Sequence, residues 1–364
     1  MKFKLSEIGD IVTGATPKKS LKNAFGTFIP FLTPVDYKNS RTSNVTIRGL
    51  SEVGLNALKT RQLSANSISV TSIGSDMGKT QFNEKPLVTN QQINSIHNIK
   101  SEFSPLYVYY KLLSLHDYIY HIGSGNGSTM PILNKSDFSN IEIEVPEKSV
   151  QESIVSVLDP IDSWIETATV INDNLVELAI AMFKEMFPHI QYGDNQIGDY
   201  ITPKRGKNLT SKNAVIGKIP VIAGGLSPAT WHNQANTKKP VITISASGAN
   251  AGFVNLWTIP VWSSDSSYID STMTDTPYFW YIMLKVRQSE IFDLQTGSAQ
   301  PHIYPKHIAG LPTIKLTLAN MKKYENRVIP IFDEYANNLS EINTLSNLRD
   351  TLLPKLLNGE IEFN

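Results

Sequence analysis

The chain has 364 residues, which is long for a single average domain and predicts two or three domains. Hydrophobic residues make up 41% of the chain and charged residues 18%, a balance typical of globular proteins and not of disordered tails. The chain has no cysteine, which excludes disulfide bonds and thiolate metal sites, and no uninterrupted apolar run of about 18 residues that would span a membrane. We therefore expect a cytoplasmic protein that does not interact with a membrane.

The net charge of zero hides an uneven distribution of charged residues along the chain. Residues 1–100 hold 13 basic and 6 acidic side chains, and residues 201–250 hold 7 basic and none acidic. Residues 101–200, which lie between them, hold 4 basic and 15 acidic side chains. Two basic blocks separated by an acidic one are typical of a protein with two phosphate-binding surfaces, and an ordinary solvated surface is the alternative interpretation.

The first half of the chain begins with short β-rich runs bounded by Gly, Pro and Asn, such as residues 67–71, which predict strands joined by turns. A helix is predicted from about Leu106 to Tyr120, because Ser104-Pro105 is a helix start signal. From Ile154 to Met186, residues that are apolar except for Asn172 recur at alternating intervals of four and three and form a seam along one side of the chain. That spacing is the a/d pattern of a coiled coil and predicts a long packing helix.

The second half repeats this order of elements. The matched segments include Ile8-Gly9-Asp10 with Ile197-Gly198-Asp199, Ile29-Pro30 with Ile219-Pro220, Ile73–Gly78 with Ser247–Gly252, and Ser104-Pro105 with Thr276-Pro277. A helix near Tyr278 to Phe292 and a second apolar seam from Val328 onwards follow. Pro160 and Pro330, near the beginnings of the two long helices, are expected to kink or interrupt them.

These patterns predict an α+β protein with a pseudo-two-fold internal repeat, in which two β-rich binding domains are joined by two long antiparallel coiled-coil helices. The predicted divisions are residues 1–148 for the first β-rich domain, 149–188 for the first helical region, 189–318 for the second β-rich domain and 319–364 for the second helical region. A helix over residues 152–187 would span about 54 Å, so the pair could separate two binding heads.

Residues that would support catalysis or nucleotide binding are not evident in the sequence. The segment from Gly74 to Thr80 resembles a phosphate-binding loop but has three residues between its glycines where the motif needs four, so we interpret it as a strand-ending turn. Glu142, Glu144 and Glu147 alternate and are interpreted as the solvent-facing side of a strand. We therefore predict no catalytic residue and no metal site.

Binding chemistry is concentrated in turn-rich segments of the two basic blocks. Lys and Arg can hold phosphates, while Asn, Gln and Arg can form paired hydrogen bonds with base edges. The predicted DNA-binding residues are Lys18, Lys19, Arg41, Arg48, Arg61, Lys79, Gln91, Lys204, Arg205, Lys207, Asn208, Lys212, Trp231, His232, Asn233, Lys238 and Lys239.

Several short segments are distinctive when they are combined with the duplicated architecture. They are Ile8-Gly9-Asp10-Ile11, Gly14-Ala15-Thr16-Pro17, Ile29-Pro30-Phe31, Ile197-Gly198-Asp199, Arg205-Gly206-Lys207, the segment Ile219–Gly225, the segment Ser247–Gly252 and the closing segment Leu352–Ile361. Together they resemble the specificity (S) subunits of type I restriction-modification systems over the whole chain. Members of that family commonly have Glu-Gln after a proline. Here Pro146 is followed by Glu147-Lys148-Ser149-Val150-Gln151-Glu152, in which the order of the pair is reversed.

This resemblance implies two target-recognition domains, each reading one half of a bipartite double-stranded DNA site, and two helical regions that dock methyltransferase (M) subunits. It implies a non-catalytic chain that binds no cofactor itself. The M subunits would use S-adenosylmethionine to methylate adenine, and restriction (R) subunits, where present, would use ATP and Mg²⁺. The partner-binding residues implied on the helices are Ile154, Leu158, Ile165, Leu175, Met182, Leu339, Ile342 and Leu352. The alternative is a tandem binding protein for a non-DNA ligand.

Overall fold

The computed structural model describes residues 1–37, 41–42, 46–124, 131–297 and 300–363. The chain divides into two compact units, Met1–Thr169 with Ser340–Asn364, and Val170–Leu339. Each unit consists of a β-rich body and one segment from each of two long helices. The division into four segments stays a prediction, because the compact units divide the chain within each long helix.

The first unit contains ten named strands and the beginning of the first long helix. Its strands are β1 (Lys2–Lys4), β2 (Asp10–Thr13), β3 (Phe25–Leu32), β4 (Arg48–Leu50), β5 (Gln62–Leu63), β6 (Ser67–Thr71), β7 (Thr80–Asn83), β8 (Leu87–Thr89), β9 (Ile93–His97) and β10 (Glu142–Glu144). Its helices are α1 (Leu5–Ile8), α2 (Glu52–Ala57), α3 (Pro105–Ser114), α4 (His116–Ser124), α5 (Lys135–Ser139) and the first part of α6 (Lys148–Met186), with 3-10 turns at Pro34–Asp36 and Lys59–Arg61.

The second unit has a similar series of elements and ends in the second long helix. Its strands are β11 (Asn195–Gln196), β12 (Lys204–Arg205), β13 (Ile219–Ile222), β14 (Thr230–His232), β15 (Val241–Ser245), β16 (Val254–Trp257), β17 (Trp262–Ser263), β18 (Ser266–Asp270) and β19 (Pro312–Thr313). Its helices are α7 (Pro277–Val286), α8 (Gln288–Asp293), α9 (Pro305–Ala309) and the first part of α10 (Leu318–Leu357), with 3-10 turns at Ile197–Asp199 and Ser211–Asn213.

The two units share a sheet topology, except that the described residues of the second unit have no counterpart of β5. In the first unit one sheet has the strand order β2-β9-β6-β7 and the other β4-β3-β8-β5, in which β3 and β8 are parallel. In the second unit the orders are β12-β18-β15-β16 and β14-β13-β17, in which β13 and β17 are parallel. Since matched strands occupy matched places, the structure confirms the internal repeat that the sequence predicts.

The turn after the central strand shows why the repeat preserves particular glycines. Gly74 and Gly78 have φ of 85° and 94°, and their counterparts Gly248 and Gly252 have φ of 81° and 90°. Residues with a side chain rarely adopt this left-handed region, so glycine is required at both places in each unit. The segment from Gly74 is a turn between β6 and β7, as predicted.

The core of each unit is completed by residues of both long helices. In the first unit the strand residues Ile68, Val70 and Ile96 are buried with Tyr107, Val108, Ile154, Leu158, Leu353 and Leu356. In the second unit Ile242, Ile244 and Ile269 are buried with Phe279, Trp280, Ala179, Phe183, Tyr324 and Phe332. Because burial of apolar surface drives folding, the helix segments are integral parts of both units.

The two long helices run antiparallel within each unit. In the second unit the Asn338 amide donates to Asn172 Oδ1 at 2.9 Å, and the Tyr324 hydroxyl donates to the Ala179 carbonyl at 2.7 Å, so residue numbers rise along α6 as they fall along α10. In the first unit Arg349 donates to Asp162 at 2.9 Å. The fold class predicted from the sequence is therefore confirmed.

Pro160 and Pro330 lie inside the long helices, so the expected interruption is wrong, while the alternative expectation of a kink stays a prediction. Both α6 and α10 continue through their proline. A proline removes one backbone donor, and here Leu158, Ile165, Val328 and Phe332 on either side are buried and hold the helices in place. Among the described residues, no helix is both long and apolar enough to cross a bilayer.

The helices α3 and α7 are held at their N-termini by matched residues of the long helices. Gln151 Oε1 accepts from the Ser104 backbone N–H at 2.8 Å, and Ser104 itself caps α3. In the second unit Thr276 makes no capping bond, and Glu325 instead accepts from the N–H groups of Tyr278 and Phe279 at 3.1 and 2.7 Å. Burial raises the pKa of Glu325 to about 7, although those two N–H donors oppose the shift.

Glu325 should therefore make the stability of the protein depend on pH. Its folded pKa of about 7 exceeds its ordinary value of 4.5, so its contribution favours folding below pH 4.5 and is lost as the pH rises through 7. Relative to Glu325→Gln, we expect the wild-type free energy of unfolding to fall by about 2 kcal/mol between pH 5.5 and 7.5. Urea unfolding of both proteins across this range measures the difference.

The first repeat supplies the matched control, since Gln151→Glu places a carboxylate at the corresponding position. That variant should acquire a pH dependence of the same sign. Parallel stability curves for wild type and Glu325→Gln would show that Glu325 does not titrate in this range.

Candidate nucleic-acid interface

In each unit, a loop that follows an outer strand is bonded to the turn that follows the parallel strand pair. In the first unit the Ala15 N–H donates to the Thr89 carbonyl at 2.9 Å, and the Asn90 N–H donates to the Leu32 carbonyl at 3.0 Å. In the second unit the Lys207 N–H donates to the Ser263 carbonyl at 2.9 Å, and the Ser264 N–H donates to the Ile222 carbonyl at 2.8 Å. We call these the loop pairs; they comprise residues 14–19 with 90–92 and residues 206–209 with 264–265.

A glycine begins the first loop of each pair because the two backbones approach closely. A Cβ at Gly14 would lie 2.1 Å from the Asn90 carbonyl oxygen, and a Cβ at Gly206 would lie 2.5 Å from the Ser264 carbonyl oxygen. No side chain fits at either distance. The same backbone arrangement therefore presents whatever side chains follow the glycine.

The loop pair of the first unit is polar. The Thr16 hydroxyl donates to Gln91 Oε1 at 2.6 Å, and Arg61 donates to the Thr13 carbonyl at 2.9 Å. Lys18 and Lys19 follow on the same loop and are exposed. This pair therefore combines amide, hydroxyl and cationic groups at the surface.

The loop pair of the second unit contains charges of both signs. Arg205 Nη2 lies 2.6 Å from Asp265 Oδ1, and Asp265 also accepts from the Ser247 hydroxyl. Lys207 is exposed, and its carbonyl accepts from Trp262 Nε1 at 2.8 Å. Asp265 thus offsets the charge of Arg205 and fixes the position of its guanidinium.

The adjoining sheet of each unit has an exposed edge strand. In the second unit Trp231 on β14 is 52% exposed. In the first unit Arg48 on the matched strand β4 lies over the ring of Phe25, 3.9 Å from its centroid. Both edge strands therefore present large planar groups to solvent.

Most of the residues predicted to bind DNA lie at the surface. Those exposed are Lys18, Lys19, Arg48, Lys79, Gln91, Lys204, Arg205, Lys207, Asn208, Lys212, Trp231, Asn233, Lys238 and Lys239, and Arg61 is half-buried. Of these, the structure brings Lys18, Lys19, Gln91 and Arg61 to the first loop pair, and Arg205, Lys207 and Asn208 to the second. Lys79 pairs instead with Asp76, at 2.8 Å.

Arg41 and His232 are buried, in contrast to the other residues predicted to bind DNA, and both are engaged in contacts within the protein. Arg41 pairs with Asp159 and lies 3.3 Å from Glu166, and both carboxylates belong to α6. Burial disfavours the Arg41 charge, but Glu166 and Asp159 outweigh it and raise the Arg41 pKa. His232 packs edge-on against Trp262, and its Nδ1 lies 3.0 Å from the Val215 backbone N. A charge count cannot show that a cation meets a carboxylate far along the chain.

The helix residues predicted to bind partners differ in exposure. Ile154, Leu158 and Ile165 are buried, and Leu175, Met182, Leu339, Ile342 and Leu352 are half-buried. Their role in partner binding stays a prediction. The outward face of α6 exposes Val150, Trp164, Ile171 and Leu178, which recur on a second seven-residue spacing that could have been found in the sequence.

Three residues that hold a loop or a helix in place were not predicted to do so from the sequence. Glu166 accepts from both the backbone N–H and the hydroxyl of Thr42, at 2.8 and 2.9 Å, and so holds the loop after β3 on α6. Gln151 and Glu325 hold α3 and α7. Their spacing of 174 residues equals the offset between the Gly74 and Gly248 turns, so the repeat itself contained that signal.

Comparison with known proteins relates this chain to specificity subunits of restriction enzymes. Residues 1–176 match the family described as type I restriction modification DNA specificity domain. The chain is similar to the type I restriction enzyme MjaIX specificity subunit of Methanocaldococcus jannaschii, with 25% identity over 98% of this chain and 92% of that relative. Residues 1–176 therefore belong to the type I restriction-modification DNA specificity family, and the chain as a whole is similar to a specificity subunit.

One more relative and one solved structure are also similar to this chain. The type I restriction enzyme HindI specificity subunit of Haemophilus influenzae is 37% identical, over 43% of this chain and 34% of that relative. The crystal structure of the type I restriction-modification S subunit from M. genitalium has a TM-score of 0.54 and 20% identity, covering 98% of this chain and 95% of that one. The latter similarity shows the shared fold.

Arg41 should contribute to the stability of the protein. Replacing it by Ala would leave the Glu166 and Asp159 carboxylates without their cation, and the Glu166 side chain is only 19% exposed. We expect Arg41→Ala to lower the free energy of unfolding by about 2 to 4 kcal/mol. Lys19→Ala, which removes an exposed charge, should change it by less than about 0.5 kcal/mol. Urea unfolding that gave equal values for the two variants would contradict this role for Arg41.

Proposed function

We propose that this chain is the DNA-sequence-specificity subunit of a type I restriction-modification complex, in which each unit recognises one half of a bipartite DNA site. The observation that carries the proposal is the duplicated loop pair. The same backbone bonds occur in both units of the chain, whose residues 1–176 match the specificity family, and each pair carries its own set of basic and amide side chains. Two similar scaffolds with different side chains are suited to reading two different sequences.

The chemistry of these surfaces is that of DNA recognition. Exposed Lys and Arg neutralise phosphates and set the position of the protein, whereas Arg, Asn and Gln read base edges in the major groove. Lys207 and Asn208 in the second unit, and Lys18 and Gln91 in the first, supply both kinds of group. The alternative of a tandem binding protein for another ligand has no support from the family or the relatives.

The catalytic steps would belong to partner subunits. We propose that M subunits methylate adenine with S-adenosylmethionine, and that R subunits, where present, use ATP and Mg²⁺. Exposed apolar residues on α6 support such an association, namely Val150 and Trp164 in the first unit and Ile171 and Leu178 in the second, since contiguous exposed apolar residues are typical of protein interfaces. The cytoplasmic location expected from the sequence stays a prediction.

The proposed function predicts a methylation motif that depends on this chain. We expect a host that expresses the matching M subunit to carry methyladenine in both halves of a split motif only when this chain is also present. Single-molecule sequencing of genomic DNA, with and without this gene, measures the motif directly.

The control is the M subunit expressed alone, in amounts matched by quantitative blotting. If no new motif appeared although the two proteins co-purified, the proposed function would be wrong and a non-DNA ligand would be favoured.

The basic loop of the second unit should contribute to the salt dependence of DNA binding. Each phosphate contact adds about 0.9 to the slope of log K against log salt, because bound counterions are released. We expect the double substitution Arg205→Ala and Lys207→Ala to reduce that slope by about 1 to 2. Binding is measured on the complex with labelled duplex DNA at several salt concentrations.

Lys322→Ala with Lys323→Ala is the matched control, because it removes two exposed charges from α10. The control should leave the slope unchanged. An equal slope for wild type and for the Arg205 and Lys207 variant would remove this loop from the phosphate-contacting surface.

A further inference from the structure

Arg48 occupies a distinctive position on the first unit. It lies on β4, the edge strand of the sheet β4-β3-β8-β5, and its side chain is exposed. Its guanidinium carbon is 3.9 Å from the centroid of the Phe25 ring and 6.0 Å from that of Phe31. The cation therefore rests on an aromatic platform at the edge of the sheet.

The platform is fixed by the neighbouring backbone and rings. Phe25 packs edge-on against Phe31, with ring centroids 5.9 Å apart. The pairing of β3 with β4 shifts register between Phe25 and Ile29, which forms a bulge. Gly49 lets the strands approach there, since a Cβ at Gly49 would lie 2.5 Å from the Gly26 carbonyl oxygen. Bulges of this kind redirect side chains at functional edges, and this one holds Phe25 beneath Arg48.

Arg48 differs from the other arginines predicted to bind DNA. Arg41 is held by carboxylates, Arg61 donates to a carbonyl, and Arg205 pairs with Asp265. Within the part of the chain that the structure describes, the Arg48 guanidinium has neither a hydrogen bond nor an ion pair. Because a stacked guanidinium contacts the ring through its face, its in-plane N–H donors remain available.

We propose that Arg48 is a base-reading residue of the first unit and recognises a guanine in the major groove. This inference rests on the proposed DNA-specificity function. Two parallel N–H donors of a guanidinium match the O6 and N7 acceptors of guanine, and no other base presents this pair of acceptors there. The aromatic platform restricts the guanidinium before DNA binds, which lowers the conformational entropy lost on binding.

The matched strand of the second unit supports a role in specificity. There β14 carries Trp231 where the edge is exposed, and its three residues Thr230, Trp231 and His232 include no arginine. The scaffold is shared while the reading group differs. Arg48 should therefore affect one half of the target and leave the other half unchanged.

The experiment compares the methylation motifs conferred by wild type, Arg48→Lys, Arg48→Ala and Phe25→Leu, each expressed with the M subunit. We expect both Arg48 variants to lose discrimination, by roughly tenfold to a hundredfold, at one G·C pair of one half-site. Phe25→Leu should weaken discrimination at the same pair. Lys135→Ala, which removes an exposed charge on α5, is the control and should keep the full motif.

Arg48→Lys tests the planar guanidinium, because lysine keeps the charge but lacks the rigid fork of parallel donors and the flat face that lies on the Phe25 ring. Arg48→Ala tests base reading itself. If Arg48→Lys or Arg48→Ala kept the wild-type motif at full stringency, or only lowered methylation evenly at every site, the base-reading role would be wrong while the proposed function stood. If wild type conferred no motif, both would be overturned. Thermal unfolding of each variant identifies any loss that comes from misfolding.

Discussion

The buried carboxylate of Asp162 joins three helices of the first unit, and the sheet β2-β9-β6-β7 packs against one of them, α3. One oxygen accepts from Arg349 on α10 and the other from the Tyr110 hydroxyl on α3, each at 2.9 Å. The Asp162 side chain is only 2% exposed, so a shift of α10 that broke the Arg349 contact would leave a buried charge without its cation. Such a loss costs several kcal/mol, which is comparable to the stability of a whole domain.

In the second unit, neutral side chains hold the two long helices in register. Asn172 and Asn338 are buried within the helix pair and hydrogen-bonded to each other, and Asn172 also donates to the Tyr335 carbonyl at 3.3 Å. A buried amide pair in an apolar seam selects one register, since any other alignment leaves both amides unsatisfied. In both units, therefore, a few polar contacts set the register and the surrounding apolar side chains supply the stability.

Much of the fold follows from periodicity and from the repeat. The β-rich bodies and the two long helices have local signals of spacing, and the structure confirms them. Helices also begin after Ser104 and Thr276 as predicted, but each predicted helix is divided in two, Pro105–Ser114 with His116–Ser124 and Pro277–Val286 with Gln288–Asp293. The seam signal also marked Asn172, although spacing alone could not show that its partner is Asn338.

The candidate site was predicted less completely, because exposure depends on contacts between distant segments. Arg41 and Arg48 look alike in the sequence, being basic residues in the same turn-rich stretch. One meets carboxylates 118 and 125 residues away and is buried, while the other lies over an aromatic ring and is exposed. The seven-residue spacing of the outward α6 residues was available in the sequence, but a helix seam and an exposed helix face have the same period.

The division of labour between backbone and side chains explains how one scaffold can serve two recognition surfaces. The loop pairs are held by backbone hydrogen bonds and by a glycine at which no side chain fits, so their shape depends little on the residues that follow. Thr16 and Gln91 in the first unit correspond in place to Asn208 and Asp265 in the second. Because these side chains contribute little to the core, they can change without the cost in stability that a core substitution incurs. Substitution is then expected to be costly at the residues that hold the helices and loops in place, such as Asp162, Glu166 and Glu325, and to cost little at the exposed residues that the proposed function places against DNA.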